Sequence, residues 1–419
     1  MNLRINPPEE MIDVAIELPL SKSISNRALI MDALSAAPVP CRAVADCDDT
    51  AAVRAALSLL GEMPKGATVN VGMAGTAMRF LTAYVAATPG LEAELDGDER
   101  MRERPIGPLV DVLRRCGAEI EYSGREGYPP LRVKGRQLSG GEMNIDAAVS
   151  SQFVSALLMV APTFSSPLSL RLQGEISSFP YIKMTVGMME RRGINCEIYG
   201  SVITVEPGKY LSDNEPIERD WSAASYWYEI AAISAGWVTL PGLRLPSLQG
   251  DAAAARFFER LGIVSGTEND EGETIDGMVL TPSPEVHSRL DLDLSDNPDL
   301  AQALAVTCCM VGVPFHFTGL ASLKIKETDR LQALQSELAK LSYAVEIIRG
   351  SELAWQMQRC HVEELQPIDT HGDHRMAMAM APAALFVSGL IIRHAEVVTK
   401  SYPEYWDHLR MAGFQIEEV

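Results

Sequence analysis

Segments with helical spacing follow one another along this chain in two kinds that strictly alternate, six of each. The first kind is Ala-rich and apolar nearly all round, and each copy opens with a small or polar residue. These segments begin near Ser25 (SNRALIMDALSA), Gly75 (GTAMRFLTAYVA), Ser151 (SQFVSALLMVAP), Ser222 (SAASYWYEIAAIS), Asn297 (NPDLAQALAVTCCM) and Asp373 (DHRMAMAMAPAAL). A helix that is apolar on every face has to be enclosed by other elements. The second kind is amphipathic: DDTAAVRAALSLLG, PIGPLVDVLRRCGAEIEY, PYIKMTVGMMERRGINCEI, QGDAAAARFFERLGIV, KETDRLQALQSELAKLSYAVEII and PEYWDHLRMAGFQIEE. Several of these end in a basic last turn and a Gly before a strand-like run, which are ordinary stop signals. Six copies of one helix–strand unit in 419 residues make a repeat of about 70 residues, too long for a standard solenoid. The simplest arrangement is two globular halves of three units each. Each half then has its buried helices in the middle and its strands and amphipathic helices outside.

Composition narrows the function. Hydrophobic residues make up 47% of the chain and charged residues 22%, which excludes a largely disordered protein. Lys and Arg number 36 against 56 Asp and Glu, a formal net charge of -20, which argues against a nucleic-acid partner. Cations serving an anionic ligand would have to be gathered locally, against the global sign. Met1 to Pro19 contains Pro7, Pro8, Glu9, Glu10 and Asp13 and no signal-peptide apolar region. The most apolar stretch, Met376 to Ile392, is broken by Pro382, Ser388 and Gly389, so it reads as a buried helix and strand and no membrane partner is expected. The cysteines (Cys41, Cys47, Cys116, Cys196, Cys308, Cys309 and Cys360) are odd in number and form no CxxC, which indicates neither a disulfide framework nor a zinc site. His371 and His374 form an H-x-x-H without an acidic or Cys partner at zincin spacing, so no metal is expected. A cytoplasmic, reduced protein fits.

The buried helices open on polar or basic clusters: Lys22, Ser23 and Arg27; Gly75, Thr76 and Arg79; Ser150, Ser151 and Gln152; Asp299 in the first turn of the fifth; Asp373, His374 and Arg375. Helix N-termini present unpaired N–H groups and suit anions. Ser and Thr there also serve as plain caps. Lys and Arg, however, are disfavoured beside a helix N-terminus, and an anionic ligand would remove the conflict at Lys22, Arg27, Arg79 and Arg375. Three further runs lie at element junctions: Arg100, Arg102 and Arg104 in GDERMRERPIG; Lys324, Lys326, Glu327, Asp329 and Arg330 in LKIKETDR; and Lys400 in TKSYPEYW. Neither GxxxxGK[ST] nor GxGxxG occurs, which speaks against a P-loop or a Rossmann site.

The segments LPLSKSISNRALIMDALS, AGTAMR, DERMRERPIGPLVD, SSQFVSALLM, SSFPYIKMT, NPDLAQALAV, IKETDRL, DHRMAMA and TKSYPEYW, from about Leu18 to Trp406, resemble in order the motifs of the 5-enolpyruvylshikimate 3-phosphate synthase family of enolpyruvyl transferases. The resemblance implies an α/β fold: a two-domain inside-out α/β barrel of six βαβαββ-type repeats, three per domain. One half would comprise residues 1–18 plus 220–419 and the other 19–219, with the active site in the cleft between them. It implies transfer of the enolpyruvyl group of phosphoenolpyruvate to the 5-hydroxyl of shikimate 3-phosphate, with release of phosphate, by addition and elimination. It further implies a place in the shikimate pathway, no cofactor, a cytoplasmic monomer and glyphosate as an inhibitor.

Residue by residue, the resemblance assigns phosphoenolpyruvate to Lys22, Gly75, Arg100, Gln152, Arg330, Arg375 and Lys400. It assigns shikimate 3-phosphate to Lys22, Ser23, Arg27, Ser150, Ser151, Gln152, Ser178, Tyr181, Asp299, Ser322 and Lys326. Arg suits bidentate capture of phosphate and carboxylate. Glu327 is the expected proton donor to the methylene carbon, Asp299 the base for the 5-hydroxyl, and Lys22 an assistant. Glu327 is expected to be flanked by Lys326 and Arg330.

The chain departs from the family pattern at Met73, Ser322 and Gly372, each standing where the family has Asn, at Trp221 in place of a small residue, and at Phe80 in place of Pro. The sister enzyme that acts on UDP-N-acetylglucosamine carries a reactive Cys in its mobile loop. The corresponding loop here, GDERMRERP, has none, and Cys116 is the nearest. A non-catalytic anion-binding protein on the same scaffold would lack some of Lys22, Asp299 and Glu327, and all three are present.

Overall fold

A computed structural model describes residues 1–36, 42–146, 150–174, 176–269 and 272–419. The chain divides into two compact units, Met1–Leu20 with Glu218–Val419, and Ser21–Ile217. The two crossings fall two residues further along the chain and two residues earlier than Leu18 and Asp220. The reason is local: Leu20 pairs with Arg219 in an antiparallel bridge, and Arg219 Nη1 donates to the Leu18 carbonyl, which ties both strands to the first unit.

One local plan recurs. A strand leads into a buried helix, a second strand returns parallel to the first, an amphipathic helix follows, and a hairpin closes the sheet antiparallel. In the Ser21–Ile217 unit this gives Lys65–Asn70, Gly75–Ala87, Glu92–Asp96, Gly107–Arg115, Glu119–Tyr122 and Leu131–Lys134. The same plan follows with Gly141–Asp146, Ser151–Val160, Leu168–Gln173, Phe179–Arg191, Cys196–Tyr199 and Val202–Val205. The other unit contains three such sheets. One of them takes its second antiparallel partner from the far end of the chain: Leu3–Asn6 lies between Leu390–Arg393 and Gln415–Glu418. Five four-stranded sheets share the plan among the described residues, and the helix pair Lys22–Ala33 and Asp48–Glu62 precedes the first of them.

The apolar segments form the cores. Lys22–Ala33, Gly75–Ala87 and Ser151–Val160 each touch the other two, and so do Trp221–Ser234, Ala301–Val311 and His374–Met380. All seven residues of His374–Met380 are buried, and in Ser151–Val160 only Gln152 is not. Their starts are set by ordinary caps. Ser150 accepts from Gln152 N, Asp220 from Ala223 N and Asp373 from Arg375 N. The fifth start differs from expectation, because Asp299 lies in a 3-10 turn, Pro298–Leu300, ahead of the α-helix. Pro298 pre-sets that turn.

Candidate active site

In the larger unit the acidic and basic residues read from the sequence converge on Arg330, the first residue of the helix Arg330–Lys340. Its buried guanidinium donates from Nε to Asp373 Oδ2 at 2.6 Å, from Nη1 to Asp299 Oδ1 at 2.8 Å and from Nη2 to Glu327 Oε2 at 2.9 Å. Lys326 Nζ stands 3.5 Å from Asp299 Oδ1, and Arg375 Nη2 donates to Asp299 Oδ2 at 3.3 Å. Lys400 Nζ lies 3.7 Å from Glu327 Oε1. Glu327 is therefore flanked by Arg330 and Lys400, and Lys326, which reaches Asp299, also interacts with its charge. The i,i+3 spacing brings Glu327 onto Arg330. Ser322 sits one turn earlier, in the 3-10 turn Ala321–Ile325.

Burial and charge compete in this cluster. Burial alone would raise the Asp299 carboxyl, but Arg375, Lys326 and Arg330 outweigh it and hold the group far below the usual carboxylate range. Burial lowers Lys326, with Asp299 pulling it back. Arg330 is raised despite its burial, because Asp373, Glu327 and Asp299 surround it. Removing one partner from such a buried network typically costs about 3–5 kcal/mol. Behind Arg375 lies a further buried acid. Ser222 Oγ donates to Asp251 Oδ2 at 2.5 Å and accepts from Arg375 Nη2 at 3.3 Å, and burial raises the Asp251 carboxyl against the pull of Arg375.

The Ser21–Ile217 unit holds the second cluster. Lys22 Nζ pairs with Asp49 Oδ2 at 3.1 Å. Gln152 Nε2 donates to Thr76 Oγ1 at 3.2 Å, beside Gly75. Ser150 acts as a cap and Ser151 is buried behind it. Arg27 is buried between the rings of Phe80 and Tyr181. It donates to Thr185 Oγ1 at 2.7 Å, to the Ser23 carbonyl at 2.9 Å and to Ser155 Oγ at 3.2 Å. Burial brings its pKa down to about 10. Ser178 holds a left-handed conformation, φ 58°, and makes no capping bond to the helix that it precedes. Such strained non-glycine backbone concentrates at functional sites.

The R-x-R-x-R run is resolved in a way the sequence did not reveal. Arg100 pairs with Glu103 and Arg102 with Asp96, both at the surface. Arg104 turns inward and lies over Gly75, where a Cβ would come 2.6 Å from its Nη1 and 2.8 Å from its Cζ. Arg79 clamps the loop from the other side, donating to the Gly75 carbonyl at 3.0 Å and the Pro105 carbonyl at 3.1 Å. Arg79 is thus a bracket for the loop, and Arg104 is the cation that the loop brings to the start of the helix Gly75–Ala87.

The H-x-x-H residues part company. His371 Nε2 bonds to Glu337 Oε1 at 2.8 Å, and His374 is buried with Nδ1 3.5 Å from Asp373 Oδ1. Cys116 is buried, which pushes its thiol up to about 11 although Arg115 opposes the shift, the opposite of an activated nucleophile. Cys41 lies outside the described residues. Among the described residues no helix is long and apolar enough to cross a membrane.

Repeated mixed sheets around buried helices, with cations and carboxylates gathered at the helix starts, define an α/β enzyme equipped for small polyanions. The family model of EPSP synthase (3-phosphoshikimate 1-carboxyvinyltransferase) matches residues 8–409. A 3-phosphoshikimate 1-carboxyvinyltransferase of Bacteroides fragilis is 46% identical over 419 residues, covering 100% of this chain and 99% of that one. One of Pseudoalteromonas translucida is 34% identical over 430 residues, covering 97% and 98%. The solved EPSP synthase of Acinetobacter baumannii shares the fold, with a TM-score of 0.75 at 21% identity and full coverage of both chains. The chain belongs to the EPSP synthase family.

Proposed function

We propose that this chain transfers the enolpyruvyl group of phosphoenolpyruvate to the 5-hydroxyl of shikimate 3-phosphate and releases phosphate, the shikimate-pathway step of its family. The observation that carries the residue-level reading is the Arg330 cluster, in which Asp299 and Glu327 are held among Lys326, Arg330, Arg375 and Lys400. Glu327 gives its proton to the methylene carbon of phosphoenolpyruvate. Asp299 takes the proton of the 5-hydroxyl, and the hydroxyl oxygen bonds to the C2 carbon to form a tetrahedral adduct. Loss of phosphate, with return of a methyl proton to the Glu327 carboxylate, completes the transfer. Asp299 is ionised and a weak base while three cations surround it, so the bound substrate anions that offset those cations are what restore its basicity. Lys22, Gln152, Ser150, Ser151, Ser178 and Tyr181, all of the Ser21–Ile217 unit, are read as substrate ligands. The repeated sheets and buried helix triplets fit the inside-out barrel, and the protein is read as a cytoplasmic monomer. The test is phosphate release, expected only with both substrates and undiminished in EDTA. Loss of activity on chelation, or equal activity with UDP-N-acetylglucosamine, would overturn the reading.

Within this reading Arg104, rather than Arg100, is the phosphoenolpyruvate ligand. Gly75→Ala would displace the Arg104 guanidinium. A hydrogen bond to a charged group contributes about 1.5–3 kcal/mol, so KM for phosphoenolpyruvate should rise roughly 10–150-fold. Arg100→Ala should change it less than threefold, since Arg100 is paired at the surface and exposed pairs contribute about 0–1 kcal/mol. Initial-rate kinetics on both variants distinguish the two arginines, and the reverse pattern would return the role to Arg100.

A further inference from the structure

We infer that Glu337 is a positioning residue that sets the segment carrying Asp373 and Arg375; the inference rests on the functional reading above. Glu337 lies on the helix Arg330–Lys340 seven residues after Arg330, so both side chains project from one face. Arg330 grips Asp373 at one end of the following segment, and Glu337 grips its beginning. The buried Glu337 carboxylate accepts from His371 Nε2 at 2.8 Å and Lys340 Nζ at 2.6 Å, and from the Asp369 backbone N–H at 2.9 Å. A buried carboxylate with this many donors is fixed in place.

The turn it holds does not hold itself by propensity. His371 and Gly372 are consecutive left-handed residues, with φ of 52° and 69°. That conformation is uncommon for a residue other than glycine. Two local bonds shape the turn: His371 N donates to Asp369 Oδ1 at 2.7 Å, and Asp373 N donates to the Thr370 carbonyl at 2.8 Å. Glu337 links it to the helix from which Arg330 projects, and Lys340 of that helix holds the chain just before it, donating to the Pro367 carbonyl at 3.0 Å. Asp373 follows immediately, capping the helix His374–Met380 through Arg375 N at 2.9 Å and receiving Arg330. Loosening the turn would therefore move Asp373 and Arg375 together. Glu327 would keep its place, because its bond to Arg330 is made within its own stretch of chain.

The predicted signature is selective. Glu337→Gln should raise KM for phosphoenolpyruvate 5–20-fold, with kcat within threefold and KM for shikimate 3-phosphate within twofold. Amide hydrogen exchange of residues 369–376 should accelerate at least tenfold while that of 301–311 is unchanged. His371→Ala, at a side chain one-third exposed, should show the same pattern at 2–5-fold and carries the test should Glu337→Gln not fold. Unchanged KM and unchanged local exchange would overturn the inference. So would a lower melting temperature with uniformly faster exchange and unaltered KM, the mark of a strut and nothing more. A wild-type protein inactive on the two substrates would instead sink the functional reading, and the exchange measurement would still decide what Glu337 holds.

Discussion

Glu327→Gln lowers kcat by about 10²–10⁴, the usual contribution of a general acid, while shikimate 3-phosphate binds with nearly unchanged affinity. The amide keeps the shape of the side chain and one acceptor for Arg330, which donates to Glu327 Oε2 at 2.9 Å. What it removes is the proton that must reach carbon. Single-turnover kinetics with the binding of shikimate 3-phosphate measured separately check this. A kcat close to wild type would assign the proton to another group.

The second large effect is on stability and its pH dependence. Glu229 lies inside the buried helix Trp221–Ser234 and is wholly inaccessible to solvent. Neither of its carboxyl oxygens has a hydrogen-bond partner among the described residues. Burial raises its pKa well above the usual carboxylate value. A raised acid contributes fully at pH below its unfolded value, about 4.3, and its contribution is lost as pH climbs from there towards the folded value. In that window the unfolded chain releases the proton and the folded chain retains it, so stability falls by up to about 1.4 kcal/mol per pH unit. Glu229→Gln cannot ionise. Urea unfolding at pH 5, 6, 7 and 8 should therefore show the variant gaining on wild type as pH rises from 5, by up to about 1.4 kcal/mol per unit, until the folded-state carboxyl itself ionises. Parallel stability curves would mean that Glu229 titrates alike in both states.

Much of the architecture was legible because burial leaves a periodic trace. An Ala-rich helix without a polar face, such as SQFVSALLMV, has no stable place except a core, and the six such segments became two mutually packed triplets. The amphipathic helices were legible for the complementary reason, and polar openings such as Ser150 and Asp373 marked where helices start. The domain crossings were placed two residues away because an isolated bridge, Leu20 to Arg219, has no local signature.

The candidate site was legible as a list of residue types and much less as a set of partners. Lys326 and Lys400 were both visible as cations. That Lys400 joins Lys326 and Arg330 around Glu327 is a contact between segments far apart in the chain. Asp373 was visible as a helix cap, but its hold on Arg330 spans 43 residues of chain. Glu337 read as an ordinary member of an amphipathic helix, and nothing in SELAK hints that it closes on His371 and Asp369.

The sequence by itself determined the two kinds of helix, their order and the chemical inventory at their starts, because hydrophobic period and capping act over a few residues. Only the tertiary structure decided which of three identical side chains in R-x-R-x-R turns inward. Arg100, Arg102 and Arg104 are equivalent in local chemistry. The loop folds back so that Asp98 N donates to the Gly72 carbonyl and Arg79 holds the Pro105 carbonyl. That path brings Arg104 over the bare Cα of Gly75 and leaves the other two to surface carboxylates. The choice is made by contacts between residues 26 to 29 positions apart, a distance at which no local periodicity operates.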